Sequence, residues 1–153
     1  MGVDTHIGEG DRVFDHHELN RAIRTAADRI EVVKMESSPH VVTVHAAEQA
    51  VLRLAETLEA HFRFEESATG FFADVIGAAP RFSRQLAELR SQHPSLARQM
   101  AGAAETIRWA GLSKASWQRA AAQFDAFVQE LEQHEAAEDA LVADALLPGA
   151  NRT

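Results

Sequence analysis

A chain of 153 residues, 46% of them hydrophobic and with only 8 glycines and 4 prolines, can bury one substantial core and is neither disordered nor collagen-like in composition. Its net charge of -8 argues against nucleic acid or an anionic membrane surface as a partner. The absence of cysteine excludes disulfides, iron–sulfur clusters, thiolate zinc sites and c-type haem attachment, and no apolar run approaches the ~20 residues of a membrane span.

The opening stretch, residues 1–12, is polar, glycine-containing and aperiodic, and reads as a loose tail in which His6 is a solvated residue. It lacks the hydrophobic centre of a signal peptide, and His6 stands where an N-myristoylation signal has Ser or Thr. The expectation is a cytoplasmic protein. From about residue 13 to 36, Leu19, Ile23, Ala26, Ile30 and Val33 recur at helical spacing. Ser37-Ser38-Pro39 ends that helix and offers a serine N-cap and a first-turn proline to the next. The second helix is expected over about 40–76, with a disturbance at Gly70, and stops at Gly77-Ala78-Ala79-Pro80. Val41-Val42-Thr43-Val44 is the best strand candidate, but it is short and falls where a helix should begin. The third helix carries the cleanest heptad rhythm, Phe82, Leu86, Leu89, His93, Leu96, Met100, Ala103 and Ile107, and breaks at Gly111-Leu112-Ser113. The fourth runs over about 116–147 and closes at Pro148-Gly149, leaving 148–153 as a tail. Four long helices with short connections predict an all-α, up-down-up-down four-helix bundle over 13–147.

Two elements of the form His-x-x-x-Glu interrupt the apolar faces of the second and fourth helices: His61 with Glu65, and His134 with Glu138. At ~100° per residue, four residues place an imidazole and a carboxylate about 40° apart on one face, where both can grip a metal ion. Each pair lies on the interior stripe: Ala47, Val51, Leu54, Leu58, His61, Glu65, Ala68, Phe72 in one case, and Phe127, Leu131, His134, Glu138, Leu141, Ala145 in the other. A Glu on a buried stripe is costly unless paired or metal-bound. His93 shares the interior stripe of the third helix, and His16 is in phase with Leu19, Ile23 and Ile30, whereas His17 is in phase with Asn20, Arg24, Asp28 and Glu31. All four helices can thus send a histidine inward at one level. The alternative is a set of core histidines, each hydrogen-bonded to a neighbour, which for His93 alone is the better reading. Sulfur-free ligands of this kind suit iron, manganese or zinc, and four imidazoles with two carboxylates exceed the need of one tetrahedral zinc. Ferritin-type Glu-x-x-His is excluded by Leu58, Arg90 and Leu131, and zinc-protease His-Glu-x-x-His by Glu138.

The order His, His-x-x-x-Glu, His, His-x-x-x-Glu resembles the hemerythrin-like (HHE cation-binding) domains over about 13–147, with His61-Phe62 followed by Glu65-Glu66, His93 by Leu96, and His134 by Glu138-Asp139. The resemblance implies a bundle holding two non-haem iron ions, oxo- or hydroxo-bridged, that handle O2, peroxide or nitric oxide. Carried over, His16, His61, His93 and His134 are terminal ligands, and Glu65 and Glu138 bridge. Leu89 and Ala97 occupy the places where oxygen carriers have a further third-helix histidine. Four histidines in place of five leave an exchangeable position, so turnover of peroxide or nitric oxide is expected over faithful O2 carriage. The oxygen carriers' spacing would select Asp139, but five residues rotate ~140° and four keep Glu138 on the interior face. Pro94 predicts a kink beside His93.

Glu66, Glu135 and Asp139 are read as solvated groups or as groups that orient the imidazoles. His40 and His45 are expected on the surface. Phe62, Phe64, Phe71, Phe72, Phe124 and Phe127 are expected as core or as an apolar wall that limits water entry. Trp109 and Trp117 flank a loop and suggest packing or at most a partner surface. The expected partners are a small diatomic or peroxide ligand, with no nucleic acid and no membrane, and a homodimer remains open.

Overall fold

A computed structural model describes residues 9–67 and 69–146, and these are helical throughout apart from their connections. The tail readings at 1–8 and 148–153, His6 among them, the expected last residue of the fourth helix, Leu147, and the stripe position Ala68 lie outside the described residues. Helix α1 spans Glu9–Met35 and already begins ahead of Val13, inside the stretch expected to be a tail. Its predicted stripe is its buried face: Leu19, Ile23, Ala26, Ile30 and Val33 are all 7% exposed or less.

Helix α2 is Val41–Glu65, and its N-cap is His40 in an extended conformation, not a serine. The His40 N–H donates to Glu36 Oε2 at 2.9 Å, so the entry is fixed from the end of α1. The β-branched run Val41–Val44 becomes the first turn of α2, because Val44 enters the core there while Val41 and Val42 stay exposed. The single helix expected over 40–76 is instead two. Helix α2 ends at Glu65, the Ser67 hydroxyl donates to Phe64 O and Gly70 N–H to Ser67 O, and a short helix α3 follows at Phe71–Ala78. Gly70 is required by close approach, since a Cβ there would lie 2.0 Å from Phe64 O.

After a 3-10 turn at Pro80–Phe82, helix α4 spans Ser83–Ala110 with Pro94 inside it. It ends at Gly111, whose φ of 58° is the left-handed region that glycine adopts without strain. Helix α5 spans Lys114–Leu146. Trp117, fully buried, donates its Nε1–H to Gly111 O at 2.8 Å and pins the α4–α5 connection. Trp109 is 73% exposed and donates to Glu105 on its own helix.

Helix α1 packs on α2 and α5, and α4 packs on the same two. The α1–α2 and α4–α5 connections meet at one end, where Lys114 Nζ donates to Glu36 O at 3.1 Å. The core has two parts. A large cluster runs from this end through Leu54, Phe124 and Leu131, and a small one joins Phe72, Val75, Leu86, Leu89 and Leu141. The ionisable residues His61, Glu65, His93, His134 and Glu138 are buried in the same interior.

Candidate metal centre

The six residues singled out in the sequence come together at one level. Two groups of four donor atoms form, each within 4.8 Å: His16, His61, Glu65 and Glu138 in one, and Glu65, His93, His134 and Glu138 in the other. Glu65 and Glu138 belong to both. Within α2, His61 Nε2 lies 2.6 Å from Glu65 Oε1; within α5, His134 Nε2 lies 2.7 Å from Glu138 Oε1, as the i,i+4 spacing dictates. From α4, His93 Nε2 reaches Glu65 Oε2 at 3.3 Å and Glu138 Oε1 at 3.7 Å. Glu138 is buried at 2% exposure and Asp139 is exposed, so the interior phase belongs to the fourth residue after His134.

The imidazoles are held from behind. His93 Nδ1 is 3.2 Å from Glu66 Oε1, and His134 Nδ1 is 2.8 Å from Gln92 Oε1. With Nδ1–H donating to these oxygens, Nε2 turns toward the centre on both rings. Phe62 stacks on His93 with centroids 3.9 Å apart, and Phe72 stands 5.5 Å from it. These two phenylalanines form the expected wall, with Phe71 packed beside Phe72. Phe124 and Phe127 lie in the large core cluster, and Phe64 departs from expectation by pointing to the surface at 37% exposure. His17, His40 and His45 are exposed. Glu66 is the orienting group on His93, Asp139 is a surface residue, and Glu135 is neither solvated nor bonded to its neighbouring imidazole: it is buried, with its Oε1 4.0 Å from His16 Nδ1. Gln92 carries no sequence signal of its role, because an amide on a helix surface has many uses.

Burial of such charge shifts the titrations. Burial pushes the Glu65 carboxyl up, but hydrogen bonds from His61 and His93 outweigh it and bring the group down to about 2. Burial pushes His93 down, yet its contacts with Glu138 and Glu65 raise it to about 9. Glu135 is raised to about 7, first by burial and further by the nearby carboxylates of Glu138, Glu65 and Asp139, against the pull of His61.

The donor set fits a bound cation. Glu138 Oε2 is buried without a hydrogen-bond partner among the described residues, and His93 Nε2 and His134 Nε2 face each other at 3.2 Å. Two ring nitrogens that each turn a lone pair inward repel unless a proton or a metal ion lies between them. Fold and site together therefore define a helical metal-binding protein. The sequence model of the Hemerythrin HHE cation binding domain matches residues 13–146, and the chain belongs to that family. No curated protein and no solved structure matches it. Among the described residues, no helix is long and apolar enough to cross a membrane.

Proposed function

We propose that this chain is a hemerythrin-like non-haem di-iron protein that reacts with O2, peroxide or nitric oxide, and that it consumes peroxide or nitric oxide rather than carrying O2 reversibly. In this reading α1, α2, α4 and α5 form an up-down-up-down bundle. His16, His61, His93 and His134 are terminal ligands, and Glu65 and Glu138 are bridging carboxylates. The observation that carries the reading is that these two carboxylates belong to both four-donor groups. One tetrahedral zinc needs only one such group, whereas two ions with shared carboxylates need both. Histidine and carboxylate without sulfur suit iron.

When bound, a pair of iron ions supplies the redox chemistry and the open positions for a small ligand. The chain's own residues hold and shield that pair. Phe62 and Phe72 cover the His93 side and exclude water there, and the partly exposed His16 leaves a route in from the α1 side. Four histidines leave room for an exchangeable ligand, which is what a catalytic metal requires. Peroxide breakdown to O2 and water needs no outside reductant, so it can proceed with this protein alone.

The test loads the protein with ferrous iron without air, admits O2, removes it and adds peroxide. The expected result is close to two iron ions per chain, oxidation that does not reverse on degassing, and sustained peroxide consumption that a His93→Ala variant loses. A spectrum that reverses on degassing, with no peroxide breakdown above that of free iron, would establish a binder or sensor instead. Stable one-to-one zinc, indifferent to loss of His61 or His134, would establish a metal-stabilised bundle without a redox task.

A further inference from the structure

The two four-donor groups share their carboxylates and differ in their histidines. His93 and His134 are 4% and 3% exposed, and each has its Nδ1 engaged, by Glu66 and by Gln92. His93 also lies under Phe62. His16 is placed quite differently. Its side chain is 37% exposed, its ring meets His61 edge-on at 5.2 Å, and Glu135 Oε1 stands 4.0 Å from its Nδ1, too far for a hydrogen bond.

We propose that the two metal positions are inequivalent: the one between His93 and His134 fills first and retains its ion, and the one between His16 and His61 fills last and exchanges with solvent. The inference rests on the two-metal reading above and concerns the order and rate of binding, not the reaction. A ring already oriented by a second bond loses less side-chain freedom when it takes an ion, and such supporting partners are worth about 10–100-fold in metal affinity. Release also needs a ligand to swing aside and water to enter. Of the four histidines, His16 is the one at the surface, while the other three are 4% exposed or less.

Glu135 is the positioning residue for this exchange. Its buried Oε1 has no hydrogen-bond partner among the described residues, and a shift of the His16 ring by about 1 Å brings Nδ1 within bonding reach. Once that contact forms, His16 is held as its counterparts on α4 and α5 are. Glu135 therefore sets how long His16 stays in place.

The test uses the full chain loaded with two equivalents of ferrous iron in the absence of air, then mixed with excess ferrous chelator while release is followed optically. Two phases of equal amplitude are expected, separated about tenfold or more in rate. Glu135→Ala should speed the fast phase alone, Gln92→Ala the slow phase alone, and His16→Ala should bind a single ion released at the slow rate. Release of both ions in one phase overturns the inference, as does Glu135→Ala and Gln92→Ala acting on the same phase; either leaves the two-metal reading standing. A protein that never holds more than one ion per chain overturns both. Glu135→Ala and Gln92→Ala decide the matter even where His16→Ala fails to fold.

Discussion

At the scale of the residue, Glu65 and Glu138 are the carboxylates that belong to both four-donor groups. Replacing either with Gln keeps the shape and removes the negative charge, so metal content should fall to one ion per chain or fewer. Asp139→Asn, on the exposed side of α5, should leave it unchanged; metal analysis of the three variants decides, and the reverse pattern would transfer the role to Asp139. The pKa shifts carry a second expectation, for the chelated protein. Glu65, lowered to about 2 from 4.5, stabilises the fold above pH 4.5, and that stability is lost as pH falls through 2. His93, raised to about 9 from 6.5, stabilises it below pH 6.5, and that is lost as pH rises through 9. Glu135, raised to about 7 from 4.5, favours the fold below pH 4.5 and loses that advantage by pH 7, a change on the order of 3 kcal/mol. The metal-free protein should thus melt highest near about pH 4.5, and Glu135→Gln should flatten the fall on the alkaline side; melting temperatures that climb steadily to pH 9 would contradict the assignments of His93 and Glu135. The interior phase of Glu138 is legible in sequence because four helical residues return to one face. The burial of Glu135 is not, since it follows from α5 packing on both α1 and α4, which widens its buried arc beyond a single stripe.

At the scale of the element, the heptad of α4 and the stripe of α1 are readable because each long helix buries one continuous face. The break between α2 and α3 is different. Gly70 signals a disturbance, yet the chain leaves the helix earlier, at Glu66, and only the fold shows why: the backbone turns so tightly that Gly70 presses on the carbonyls of Phe64 and Glu65. That turn brings Phe72 to His93. A Cβ at position 70 would lie 2.0 Å from a backbone oxygen, which no side-chain movement relieves. Gly70→Ala should therefore cost about 2 kcal/mol or more and loosen α3 from the site, read as a lower melting temperature and weaker near-ultraviolet circular dichroism. Gly77, inside α3 with nothing within 4 Å of its Cβ position, is the control: Gly77→Ala should be neutral or stabilise by about 0.5–1 kcal/mol. Pro94 lies inside α4 with its ring on the exposed face, where water can serve the carbonyl it leaves free, and the helix continues beyond it.

At the scale of the whole molecule, the ionisable cluster divides the interior. The large apolar cluster contains Phe62, Leu96 and Leu131, and the small one contains Phe72, Leu89 and Leu141. Glu65, His93, His134 and Glu138 fall between these in sequence, and His61 adjoins Phe62. The small cluster draws on α3, the start of α4 and the end of α5, and its five buried members alone are a thin core. Two cations would neutralise the buried carboxylates and tie α1, α2, α4 and α5 together through Glu65 and Glu138, so metal binding should couple chiefly to the stability of this smaller part. Without metal, Glu65, Glu138 and Glu135 are left as close buried acids, and their repulsion acts at the same boundary. Hydrogen exchange with and without chelator tests this directly. Chelation should speed amide exchange over about residues 71–90 and 138–146 by tenfold or more, while amides around Val51, Met100 and Phe124 in the large cluster keep most of their protection. Equal acceleration in both parts would mean that the bundle opens as one unit and that the centre stabilises it globally. No change anywhere would mean that the apolar cores hold the fold unaided and that the metals bind to a frame already built.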